Sequence, residues 1–68
     1  MDRLKLEYEI KKNGYTIGSI CEELGISRSA LYRKMRGIVD FNQGEIAALI
    51  RILHLDNPME IFFKDEVS

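Results

Sequence analysis

The sequence predicts an all-α fold, a compact domain of five short helices. Three observations carry that expectation. Apolar residues recur at helical spacing, cap residues precede these runs while glycines follow them, and the connections between runs are only a few residues long. At 68 residues, 46% hydrophobic and 31% charged, the chain is read as a single domain over residues 1–68. A chain of this length buries only about 60% of its unfolded surface, so modest stability, aided by a partner chain, is expected. A ligand cleft of about 300 Å³ would consume the core itself. That argues against an enzyme and against a small-molecule site. One cysteine and one histidine exclude a disulfide framework or a multi-thiolate metal site, and no cofactor is expected. The longest apolar run is Ile46–Ala47–Ala48–Leu49–Ile50, whereas a bilayer span needs about 20 residues. The N-terminal residues do not read as a basic-then-apolar leader. A soluble, cytoplasmic protein is the expectation.

The first helical stretch runs from Asp2 to Asn13. Leu4, Leu6, Tyr8 and Ile10 alternate as in a strand, while Leu6 and Ile10 also stand at i, i+4. The Lys- and Glu-rich filler and Gly14 beyond the end favour a helix, with a strand over 4–10 as the alternative. The second stretch opens after Thr16, a good N-cap. Ile17, Ile20, Cys21 and Leu24 share one narrow face, Glu22 and Glu23 point away, and Gly25 supplies a left-handed end. The third follows Ser27 as N-cap and runs from Arg28 to Arg36, stopped by Gly37. Only three residues separate Leu24 from Arg28. Two helices joined so tightly, with a glycine opening the turn, must cross steeply, and this is the helix-turn-helix signature, here over residues 16–36. Asp40–Phe41–Asn42 forms a short loop around one aromatic. Asn42 and Glu45 then read as a capping pair for a fourth helix with Ile46, Leu49, Ile50 and Leu53 on one face. Asn57–Pro58–Met59–Glu60 supplies a cap, a first-position proline and a third-position glutamate for a last turn containing Ile61, Phe62 and Phe63.

Charge sharpens the reading of the third stretch. The net charge is −1, yet Arg28, Arg33, Lys34 and Arg36 lie together with no acid among them. The other six basic residues stand against eleven acids. From Asp40 onward there are six acids (Asp40, Glu45, Asp56, Glu60, Asp65, Glu66) and two bases, Arg51 and Lys64. A positive stripe on an otherwise acidic chain is an electrostatic footprint. At about 100° per residue, Leu31 and Met35 fall on the inward side. Arg28, Ser29, Tyr32, Arg33 and Arg36 fall on the outward side. A merely solvated face would interleave both signs in i, i+4 pairs, and this one does not. Arginine forks match phosphate oxygens and the paired acceptors of a guanine edge. Tyr32 can hydrogen-bond a base or phosphate or pack on a thymine methyl, and Ser29 can donate or accept. Lys34 borders the core, so its stem is expected to pack while its ammonium reaches outward to a phosphate. Arg36 is likewise expected at a phosphate.

The run Ile17–Gly18–Ser19–Ile20–Cys21–Glu22–Glu23–Leu24–Gly25–Ile26–Ser27–Arg28–Ser29–Ala30–Leu31–Tyr32–Arg33 resembles the helix-turn-helix of the bacteriophage repressor and Cro family. Ile20, Cys21, Gly25 and Leu31 stand at that family's spacing. Gly37, the apolar helix after it and the ending Glu60–Ile61–Phe62–Phe63 are similar as well, so the likeness covers roughly residues 4–63. The resemblance implies a five-helix repressor-like domain that binds operator DNA as a dimer and regulates transcription. The third helix would lie in the major groove, with Arg28, Ser29, Tyr32 and Arg33 at base edges. It further implies that Thr16 to Gly18 and Asn42 with Gln43 meet phosphates, partly through backbone N–H groups. The chain departs from the pattern at three places. Ile17 stands where many members carry a glutamine that braces a phosphate or base contact. Ile10 and Met35 stand where many pair an arginine with a glutamate, a swap of a buried ion pair for apolar contact. Lys34 occupies a usually apolar position.

Other residues have plainer readings. Cys21 is expected to be small-side-chain packing between two helices rather than a redox sensor. His54 reads as a solvated or capping residue, and Glu22 and Glu23 point too far apart for a dyad. Ile52, Leu55, Met59 and one of Phe62 and Phe63 lie off the main face of their helices. They form either an exposed patch for a symmetric partner copy or the floor beneath a last helix folded over them within one chain. The leading function is sequence-specific binding of double-stranded DNA by a homodimer, at least when DNA-bound. The alternative is a small protein-binding adaptor, antitoxin- or antirepressor-like, using that apolar C-terminal patch.

Overall fold

The computed structural model describes residues 1–63, so the charges at Lys64, Asp65 and Glu66 lie outside the described residues. Five helices follow one another: α1 (Arg3–Lys12), α2 (Ile17–Leu24), α3 (Arg28–Met35), α4 (Gln43–Leu53) and α5 (Pro58–Phe62). No strand occurs among the described residues. The helical reading of residues 4–10 holds, and it explains the alternation. On the helix Leu6 and Ile10 become the buried pair, while Leu4 and Tyr8 share the exposed face. Asp2 caps α1 by accepting a hydrogen bond from the Lys5 N–H at 3.1 Å.

Every helix contributes to one core of Leu6, Ile10, Ile20, Cys21, Leu31, Met35, Phe41, Leu49, Leu53, Leu55 and Ile61. Cys21 is packing, as its place on the apolar face of α2 required. Ile10 and Met35 are both buried in this core. α4 opens on the expected reciprocal cap: Asn42 Oδ1 accepts from the Glu45 N–H at 2.7 Å, and Glu45 Oε1 accepts from the Asn42 N–H at 2.9 Å. It ends at His54, which takes the left-handed conformation (φ 51°) where glycine is the usual residue. The Leu55 N–H then donates to the Ile50 carbonyl at 3.1 Å. α5 begins at Pro58 as expected, but Asn57 makes no side-chain capping bond. Glu60 instead pairs with Lys5, and the Asp2 N–H donates to the Ile61 carbonyl at 2.7 Å. Both contacts fasten α5 to the start of α1.

The C-terminal patch divides between core and surface. Leu55 is buried and Ile52 and Phe62 pack against the core. Phe62 meets Phe41 edge-on, with ring centroids 5.6 Å apart. Phe63 is half-buried, and Met59 alone of the five is exposed. The last helix therefore folds over its own chain, because α5 is held to α1 and has Phe41 as an aromatic partner. Of the five, Ile52, Phe62 and Phe63 keep part of their surface and Leu55 keeps almost none.

Lys34 brings a correction. Its ammonium turns inward and donates to Glu45 Oε1 at 2.6 Å, with both side chains nearly buried, and so does not reach outward. Burial alone pushes the Glu45 carboxyl up. The bond from Lys34, the bond from the Asn42 N–H and the Lys34 charge together outweigh it and hold the carboxyl below its ordinary value of 4.5. A carboxyl depressed in the folded state stabilises above its unfolded value, and that stability is lost as pH falls through the folded value. Acid titration of stability should therefore show a loss setting in below about pH 4.5, and Glu45→Gln should flatten that limb. Lys34→Met, which leaves a nearly buried carboxylate without its cation, should cost about 2–4 kcal/mol in urea denaturation.

Candidate nucleic-acid interface

The interface is built outward from the turn between α2 and α3. α2 starts on a reciprocal cap in which Thr16 Oγ1 accepts from the Ser19 N–H at 3.1 Å and Ser19 Oγ accepts from the Thr16 N–H at 2.8 Å. At its other end the Gly25 N–H donates to the Glu22 carbonyl at 3.3 Å and the Ile26 N–H to the Cys21 carbonyl at 3.1 Å. This is the paired-bond helix ending that needs a left-handed residue, and Gly25 supplies it with φ 68°. Two residues later Ser27 Oγ accepts from the Ala30 N–H at 3.1 Å and starts α3. Leu31, fully buried, and Met35 then anchor α3 from behind.

With the inward side fixed, Arg28, Ser29, Tyr32, Arg33 and Arg36 are all exposed, Tyr32 at 47%. Arg36 stands just beyond the last helical residue as the C-cap, one residue short of the expected end. Among the described residues no acid pairs with Arg28, Arg33 or Arg36. Three exposed arginines thus stand on α3 and its C-cap without an acidic partner among the described residues.

The two expected backbone-contacting segments border this face at opposite ends. The N-terminal turn of α2 meets the start of α3, because a Cβ built on Gly18 would lie 2.8 Å from Nη2 of Arg28. The N-terminal turn of α4 meets the end of α3 through the Lys34–Glu45 pair. Thr16, Asn42 and Gln43 are exposed and Gly18 is half-buried. The Thr16 hydroxyl and the Asn42 carbonyl oxygen both serve as caps, which leaves the amide nitrogen of Asn42 without a hydrogen bond among the described residues. Met59 lies on α5, apart from this group.

Three features of the site escaped the sequence. The Ser19 half of the α2 cap was missed because glutamate or glutamine usually fills that place. The Lys34–Glu45 pair had one available signal, the border position of Lys34 beside the core. The seat of Arg28 on Gly18, ten positions apart on two helices, had none.

Residues 9–37, from the latter part of α1 through the glycine behind α3, match the family model of the helix-turn-helix domain of resolvase. Neither a curated protein nor a solved structure matches the chain. The matched residues include the whole α2–turn–α3 unit, which is similar to a helix-turn-helix domain.

The turn itself offers a test. A side chain at Gly25 would meet nothing within 4 Å, so Gly25→Ala isolates the backbone term. It should cost about 1–2 kcal/mol in thermal or urea unfolding through the left-handed conformation alone.

Proposed function

We propose that this protein is a sequence-specific regulator of transcription that binds double-stranded DNA with α3 in the major groove. The observation that carries the reading is the exposed, acid-free face of α3, bordered at both ends by the N-terminal turns of α2 and α4. Ser29, Tyr32 and Arg33 point into the groove as base readers, with the fork of Arg33 suited to the paired acceptors of guanine. Arg36, Thr16, Asn42 and Gln43 lie to either side and serve the sugar–phosphate backbone, which fixes register without reading sequence. Lys34 is left out of the contact set because its ammonium is held by Glu45.

A single copy presents one short reading helix, so two copies on half-sites one helical turn apart supply the affinity an operator needs. This is the phage repressor and Cro type of regulator, acting in the cytoplasm. The burial of Leu55 and the packing of Phe62 on Phe41 favour this reading over the adaptor alternative.

Selection from random duplexes should recover a palindromic site, with two half-sites spaced by one helical turn. Affinity for that site should fall with salt at a log–log slope of about −6, from three or four phosphates neutralised per copy. Arg33→Ala should weaken binding by about 1–3 kcal/mol and relax the preference at one base pair of each half-site. A folded protein with no salt-sensitive DNA binding in a mobility-shift assay would overturn the regulator reading.

A further inference from the structure

We propose that Gly18 is a positioning residue whose missing side chain seats the Arg28 guanidinium on the first turn of α2, making Arg28 a clamp on the DNA backbone rather than a reader of a base edge. This rests on the DNA-binding reading above and assigns one arginine within it. A Cβ at position 18 would lie 2.8 Å from Nη2 of Arg28, 3.7 Å from Cζ and 3.8 Å from Nε. The terminal Nη2 therefore stands in the space a side chain would claim, with Cζ and Nε at ordinary van der Waals distance behind it.

Glycine is otherwise unexplained at this place. Gly18 is the second residue of α2 and lacks the positive φ that Gly14, Gly25 and Gly37 have, so its backbone has no need of glycine. Inside a helix, glycine is among the least favourable residues and alanine the most favourable. Room for Arg28 supplies the missing reason. Arg28 itself does nothing evident for the fold. It has no ion-pair partner among the described residues, and a cation at the first position of a helix opposes the helix dipole. Its guanidinium end lies beside the first turn of α2. In a docked helix-turn-helix the first helix of the pair crosses the sugar–phosphate backbone while the second enters the groove. A guanidinium resting on the first turn of α2 is thus beside phosphates, where its planar fork binds two oxygens at once.

The test is a double-mutant cycle on Gly18→Ala and Arg28→Ala. Binding is measured by fluorescence anisotropy on a random-sequence duplex pool and on the duplex selected from it, with circular dichroism melts of each variant. The Gly18→Ala protein should melt at or above the wild-type temperature yet bind both DNAs about tenfold more weakly, as expected for one charge-assisted contact. Arg28→Ala should weaken binding to both DNAs alike and reduce the salt slope by about 1. Adding Gly18→Ala to Arg28→Ala should bring no further loss, since the two residues act through one contact. The proposal is overturned if Gly18→Ala binds like wild type, or if it costs as much with Arg28 already removed. It is equally overturned if the Gly18→Ala protein melts well below wild type, or if the Arg28→Ala loss is confined to one base pair. A wild-type protein that is folded but binds neither DNA contradicts the regulator reading itself, a result distinct from all of these.

Discussion

Between Leu24 and Arg28 the chain has three residues in which to end one helix, turn and begin another, and the left-handed backbone of Gly25 is what makes so short a path possible. The consequences run outward from that turn. Because the connection is short, α3 has little freedom to rotate about its own axis. The inward side must carry Leu31 and Met35 into the core with Ile20 and Cys21. Whatever lies on the opposite side is then projected into solvent as a set. In this chain that set is Arg28, Ser29, Tyr32, Arg33 and Arg36, so a constraint on one backbone dihedral becomes a fixed pattern of donors on a rigid face.

The ends of α3 are held by different means, and the difference suits their surroundings. At the start, Arg28 lies on a helix turn that has no side chain at Gly18. At the end, Lys34 is drawn into a nearly buried pair with Glu45, which is also half of the α4 cap. One carboxylate therefore ties together the start of α4, the residue before it and the end of α3. A pair of this kind adds little net stability over well-packed apolar residues. What it does supply is a defined spacing between the end of α3 and the N-terminal turn of α4, the two elements that would straddle a phosphate backbone.

Much of this was legible in the residues. The five helices were, because each carried a periodic apolar face together with a cap or a terminating glycine. The outward face of α3 was as well, since two apolar residues at i and i+4 suffice to fix the side that turns inward. Contacts between elements were harder to read. The chemistry of its ammonium points Lys34 outward, but a buried carboxylate eleven residues away outweighs solvent. Leu55 and Phe62 looked unpartnered on a wheel of their own helices because Phe41 and the tie between α5 and α1 are tertiary facts. His54 in a left-handed position departs from the glycine rule that Gly25 and Gly37 obey. Periodicity reports which face of a helix is apolar; it does not report which neighbour covers that face.

The central claim is that the outward face of α3, with the helix starts beside it, is the surface that meets DNA. Amide chemical shifts followed by NMR during titration with a selected duplex test this most directly, because they map contact residue by residue without altering the protein. The account predicts that the largest changes fall at Ser29, Tyr32 and Arg33, with smaller ones at the first turns of α2 and α4. Shifts gathered instead around Met59, or around Leu4 and Tyr8 on α1, with α3 unmoved, would contradict it.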